Sequence, residues 1–314
     1  MMKERLQYAL YRVGFTALAL LPLSVLYVLS SGLRWVFERV LRYRREVIRT
    51  NLERVFPELD AEERRAIEHD FYCQLADNFV ETAKLLHISD KEVSRRISVH
   101  GTEMVEALAR EGHPIIVYLG HYGNWEWVPA SVRTLAVPEF KSQVYKPLRD
   151  KAFDRLMLRV RSRFGTVSIE QERVFRTLVG IARDGKQPLC GFIADQRSNS
   201  RVAHHKTVFL GQPTHFNPGG EQIGDRINAA YVYLDVEKPR RGHYIFTFKR
   251  IVPPADSTGT DSPYTREYLR MLETTIRRRP GLWLWSHRRW KWEWEEQAAA
   301  DSKNRNIEQP DKQE

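Results

Sequence analysis

Short strand-like runs alternate with stretches of helical period from residue 97 to residue 252, and few chain plans accommodate that alternation. The strand-like runs fall at 97–100, 115–119, 143–145, 166–169, 189–194, 230–236 and 244–252. Helical periods separate many of them, at 103–110, 124–135, 151–164 and 172–183. Runs this short, with helices between them, predict an α/β fold: a central mixed, largely parallel β-sheet covered by helices. Upstream, Asp60 and Glu63 form a capping-box pattern. The helix it opens is expected to run to about Leu86, with Ile67, Phe71, Leu75 and Phe79 as its core face. Downstream, residues 264–279 predict a basic helix stopped by Pro280-Gly281.

Within this plan the stretch 115–126, IIVYLGHYGNWE, concentrates chemistry. Gly120 ends an apolar strand, Gly123-Asn124 is turn chemistry, and Asn124 can cap a helix holding Glu126 in its first turn. That places His121 on the loop at a strand's carboxyl end, the edge where open α/β sheets bind ligands. Residues five apart on one helix point away from each other, so His121 and Glu126 meet only across the loop-to-helix turn. An ionised Glu there is expected to fix the imidazole in one tautomer and support its cation. The same residues also suit a buried histidine hydrogen-bonded near a helix start.

Asp195-Gln196-Arg197 ends another apolar run and shares an edge with His121 if the two strands are parallel. Arg197 there can contact a phosphate or carbonyl oxygen, or simply sit on the surface of a turn. His204, His205 and His215 lack a carboxylate or cysteine at zinc-ligand spacing, so no metal is expected.

Residues 14–33 carry no charge, enough to cross a bilayer core, with Pro22 as a kink. A membrane helix is expected there, with a shallow interfacial placement as the alternative. Arg34, Arg39, Arg42, Arg44, Arg45, Arg49 and Arg54 follow, which marks a cytoplasmic flank and suits anionic headgroups. The net charge of +10 calls for an acidic partner. Residues 282–294, LWLWSHRRWKWEW, mix Trp with cations, as membrane interfaces do; stacking on nucleic-acid bases and a packed amphipathic element are the alternatives. Cys73 and Cys190 lie far apart in apolar surroundings and are read as reduced thiols.

Together these pieces resemble the lysophospholipid acyltransferase superfamily, and within it the late (secondary) acyltransferases of lipid A biosynthesis. His121 and Glu126 match the family's His-x4-Asp/Glu motif. Asn51-Leu52 with Phe56-Pro57-Glu58, Tyr145-Lys146-Pro147, the basic run Arg161, Arg163, Phe164, Gly165, the pair Asp195-Gln196, and Trp285, His287, Arg288, Arg289 match further elements in the same order. One departure is Arg197, where lipid A enzymes often carry a second Asp.

The resemblance implies a membrane-bound O-acyltransferase without a cofactor. It would carry a fatty acyl chain from acyl-carrier protein, or acyl-CoA, to a hydroxyl of a lipid A precursor, or of another glycolipid, aminolipid or lysophospholipid. His121 would be general base and Glu126 its orienting partner. Arg161, Arg163, Asp195, Gln196, Arg197, His287 and Arg288 would contact substrate. The enzyme would sit at the bacterial inner membrane with its catalytic domain on the cytoplasmic side. The expected division is 1–45 anchor, 46–296 acyltransferase domain and 297–314 polar tail. Competing classes are a nucleic-acid-binding protein, which leaves residues 14–33 unexplained, and a membrane hydrolase using the same histidine.

Overall fold

A computed structural model describes residues 2–197, 205–257 and 261–295. The expected polar tail and His204 lie outside them. The first two helices are α1 (Met2–Leu20) and α2 (Leu23–Trp35), the second running into a π-helical turn at Val36–Val40. They do not form one continuous helix across residues 14–33. The chain breaks before Pro22, which has no amide hydrogen to donate, and the two axes differ by 119°. No single described helix is long and apolar enough to cross a membrane.

Next come α3 (Arg45–Val55) and the long α4 (Ala61–Leu85). The capping box forms as expected: Asp60 Oδ1 accepts the amides of Glu62 and Glu63 at 2.7 and 2.9 Å, and Glu63 accepts the Asp60 amide at 2.8 Å. The expected core stripe holds only in part. Phe71 is buried, but Phe79 is 51% exposed. Each four-residue step overshoots a full turn by about 40°, so such a stripe winds out of the core, and Tyr72, Ala76, Val80 and Ala83 take over.

The remaining elements are α5 (Asp90–Arg96), β1 (Ile97–His100), α6 (Thr102–Arg110), β2 (Ile115–Leu119), α7 (Val128–Val132), β3 (Lys141–Tyr145), α8 (Lys151–Ser162), β4 (Val167–Glu170), α9 (Val174–Arg183), β5 (Leu189–Ile193), β6 (Lys206–Phe209), β7 (Gln212–His215), α10 (Gly219–Arg226), β8 (Ala230–Arg240), β9 (His243–Arg250) and α11 (Pro263–Arg278). Seven strands form one sheet in the order β1-β9-β8-β2-β5-β3-β4. Only the β8–β9 pair is antiparallel, so the sheet is mixed and largely parallel. All five residues of β2 are buried, as a central parallel strand covered on both faces must be. The β6–β7 hairpin stands apart from this sheet. It was not expected from sequence, because its strands carry Lys206, Gln212 and Pro213 rather than an apolar run.

The N-terminal helices dock on this body. Ser30 donates to Asp77 at 2.7 Å, and Asp77 also binds Lys238 of β8 at 3.1 Å and Arg241 at 2.6 Å. Tyr11 donates to Asp150 at 2.8 Å, and Phe15 packs edge-on against Phe153.

Candidate active site

Sheet register builds the site. Leu119 of β2 pairs with Ile193 of the parallel β5, so His121 and Asp195 each stand two residues beyond the same rung. Gly120 permits the approach: a Cβ there would fall 2.6 Å from Leu272 Cδ1 and 3.4 Å from Asp195 Oδ2. Asp195 is 1% exposed and receives three donors. Its Oδ1 lies 2.6 Å from His121 Nδ1, while Oδ2 accepts the His121 amide and Trp283 Nε1, each at 2.8 Å. Burial by itself would raise this carboxyl; the His121 charge and the donated hydrogen bonds outweigh it and hold Asp195 below the usual carboxylate range.

A carboxylate on Nδ1 fixes the tautomer that leaves the Nε2 lone pair free. Nε2 meets the Gln196 side-chain amide at 3.2 Å, and the ring stands edge-on to Trp125 with centroids 4.9 Å apart. Behind it lies a cavity of about 350 Å3 lined by His121, Trp125, Glu126, Arg161 and Gln196 and, farther in, by Val117, Val132, Leu189 and Gly191. A second cavity of about 360 Å3 shares Trp125 and Glu126 with the first and carries Phe15, Arg44, Phe79, Phe153 and His287.

The expected hydrogen-bonded pairing of His121 with Glu126 is corrected. Asn124 does cap the turn, accepting the Glu126 amide at 3.2 Å. The Glu126 carboxylate, however, is gripped by Arg161, with Nε and Nη2 donating at 2.8 and 2.6 Å to its two oxygens. A bidentate guanidinium satisfies both oxygens in one plane. Burial would depress Arg161; Glu126 outweighs it and holds the guanidinium above its ordinary value. Asp195, not Glu126, holds the imidazole, although both acids reach the same site.

Other expected residues divide. Arg197 lines a third cavity beside Gln196, its guanidinium 4.5 Å from the Trp292 ring centroid. His287 lines the second cavity with its Nδ1 buried and unpartnered, and burial first, then Arg289, His121 and Arg197, push its pKa down to about 4. Arg163 faces away from the site: it donates to the carbonyls of Leu85, the last residue of α4, and of Ile88 just beyond it, a structural role, because helix-end carbonyls need donors. Arg288 is exposed and lines none of these cavities. His205 pairs with Asp261 and His215 with Glu293.

The tryptophan segment is core rather than a lipid-facing band. Trp283, Trp285 and Trp290 are buried, and the stretch around Trp283 bonds to the His121 loop, Leu284 N donating to His121 O and Gly123 N to Leu282 O. Asn51 donates to the carbonyls of Trp285 and His287 at 2.7 and 3.0 Å, joining two motifs more than two hundred residues apart. Two contributors escaped the sequence reading. Trp283 acts as a donor to Asp195. Glu81 accepts Asn124 Nδ2 at 2.9 Å, Trp127 Nε1 at 3.3 Å and Tyr244 OH at 2.8 Å. The signal for Glu81 was an acid inside the apolar stretch of α4, FVETAKLL.

The family model for bacterial lipid A biosynthesis acyltransferases matches residues 2–292. The chain is similar to the lipid A biosynthesis palmitoleoyltransferase of Escherichia coli K12, 24% identical over 86% of each chain, and to the lipid A biosynthesis acyltransferase of Shigella flexneri at the same identity and coverage. It is also similar to the E. coli K12 lipid A biosynthesis lauroyltransferase, 22% identical over 86% of each chain. The chain therefore belongs to the bacterial lipid A biosynthesis acyltransferase family, and it is an acyltransferase.

Proposed function

We propose that this enzyme transfers a fatty acyl group from a thioester donor, acyl-carrier protein or acyl-CoA, to a hydroxyl of a lipid A precursor at the cytoplasmic face of the inner membrane. The observation that carries this reading is an imidazole oriented by a buried carboxylate, with its free nitrogen at the head of a largely apolar cavity. His121 Nε2 takes the hydroxyl proton in place of its contact with Gln196. The oxygen forms a bond to the thioester carbonyl carbon, the C–S bond breaks from the tetrahedral adduct, and His121 returns the proton to the leaving thiolate. Asp195 stabilises the imidazolium in between. Glu126 acts through Arg161, fixing a guanidinium at the cavity wall where negative charge develops.

The donor's acyl chain runs into the first cavity, along the sheet face from Ile193 toward Leu189. The acceptor enters through the second, which meets the first at Trp125 and Glu126 and opens toward α1. The N-terminal helices supply the membrane contact. Met2, Leu6, Leu10, Val13, Leu20 and Val28 are all more than 60% exposed, apolar side chains that suit a membrane interface.

The test is acyl transfer by the purified protein with a lipid A precursor in mixed micelles, read by mass spectrometry. The expected product is the precursor heavier by one acyl chain, lost in His121→Ala. Release of free fatty acid with no heavier lipid would make the protein a hydrolase; acylation of a different glycolipid, aminolipid or lysophospholipid would move the acceptor.

A further inference from the structure

A third cavity of about 470 Å3 lies at the carboxyl edge of the sheet. Alternation along β5 sets its side. Leu189 and Gly191 line the apolar cavity, whereas Phe192 and Ala194 line this one, on the opposite face, and Ile193 near the strand end lines both. The two cavities join over the strand ends, where Val144, Tyr145, Lys146, Ile193 and Gln196 line both. Gln196 is also the residue on His121 Nε2. A molecule whose reactive carbon sits at His121 thus has one route down the apolar face and another over the edge past Gln196.

The second route has its own chemistry. Its wall carries the carboxamides of Gln171, Asn217 and Gln222 and two cations, Lys146 and Arg197, and no carboxylate among the described residues. Arg197 is laid against Trp292, which restricts the guanidinium and leaves less freedom to lose on binding. A thioester donor has the same asymmetry about its carbonyl. On one side is a hydrocarbon chain; on the other is a pantetheine arm with two amides and a terminal phosphate. Amides leaving water need donors and acceptors, and a carboxamide offers both. A phosphate is met by Lys and Arg.

We propose that this cavity binds the phosphopantetheine arm of the acyl donor, its carboxamides facing the arm's amides and Lys146 with Arg197 facing its phosphate. The inference rests on the acyl-transfer reading above. The arm is common to acyl-carrier protein and coenzyme A, so the site serves either source.

The experiment compares three donors carrying one acyl chain: acyl-carrier protein, acyl-CoA, and acyl-N-acetylcysteamine, a thioester without the phosphate. The full-length protein is assayed beside the double variant Lys146→Ala/Arg197→Ala. The wild-type preference in kcat/KM for each phosphate-bearing donor over the truncated one should fall at least tenfold in the variant, mainly through KM. A variant that keeps the preference overturns the proposal, as does one that loses it for the carrier protein alone, since the cations would then read the protein and not the arm. Where turnover is too low for a ratio, calorimetric binding of 4′-phosphopantetheine decides: binding weakened at least tenfold in the variant supports the site, and no binding to wild type overturns it. Arm binding without any acyl transfer sinks the reading of the reaction and leaves the arm site standing.

Discussion

Asp195 Oδ1 lies 2.6 Å from His121 Nδ1, and its second oxygen accepts the His121 backbone amide at 2.8 Å. One carboxylate therefore fixes both ring and backbone of the same residue, and its burial at 1% exposure keeps water from competing. Asp195→Asn keeps the size but cannot balance an imidazolium. The expected loss in kcat is about ten-thousandfold, by analogy with other His–Asp pairs. Steady-state transfer by the folded variant checks it, with the thermal midpoint showing that the fold survives.

Glu126 and Arg161 should behave as one unit. Removing either partner leaves a mostly buried charge uncompensated, at a cost of about 3 kcal/mol in stability. In a double-mutant cycle Glu126→Ala and Arg161→Ala should each lower turnover, and the double variant should be no worse than the poorer single. Additive losses would instead mean that Glu126 acts on His121 without Arg161.

This pair marks how far the sequence could be read. The seven strands of the main sheet announce themselves as strand-like runs, and Asp60 with Glu63 announces the start of α4. His121, Glu126 and Asp195 were each legible as site residues, but their pairing was not. Pairing depends on β2 lying beside β5, some seventy residues on, and on α8 delivering Arg161 to the turn after β2. Neither adjacency is written in local spacing. Trp283 misled for a related reason: a tryptophan beside cations has the same composition whether it faces lipid or donates to a buried aspartate.

His287 predicts an acid-sensitive fold. Its pKa, pushed down to about 4 from 6.5 chiefly by burial, means that the folded state refuses a proton the unfolded chain accepts. Stability should fall as pH drops from 6.5 toward 4 and be unaffected by this group above 6.5, a change of about 3 kcal/mol over the window. Asp195, held low, adds a loss of the same sign at more acidic pH. Unfolding midpoints at pH 7.5 and 5 measure it, and His287→Asn should flatten the difference.

Gly191 tests the direction of the acyl chain. A Cβ there meets Gln143 Cβ, Leu119 Cδ2 and the Ser142 carbonyl at 3.8 Å, ordinary contact, so the backbone tolerates a side chain. Gly191→Leu should therefore fold and fill the middle of the first cavity. Donors with long chains should lose tenfold or more in kcat/KM while the shortest ones change little. An unchanged chain-length profile would place the acyl group elsewhere.

The N-terminal surface predicts how the enzyme meets its lipid. Leu6, Leu10 and Val13 are 73%, 69% and 67% exposed, and Arg39 and Arg42 are exposed beyond α2, with Arg39 4.0 Å from Glu38. Apolar residues entering the interface contribute by area, about 25 cal/mol per Å2, whatever the headgroup charge. Arginines contribute about 1 kcal/mol each, only on anionic lipid and less as salt rises. The triple change Leu6→Ser/Leu10→Ser/Val13→Ser should thus weaken vesicle binding on neutral and anionic membranes alike. Arg39→Gln/Arg42→Gln should weaken it about tenfold or more on anionic vesicles and leave neutral ones unchanged. Co-flotation at two salt concentrations separates the two contributions. Equal flotation of all variants would mean that the helices hold the membrane through the full bent pair and not through this outer face.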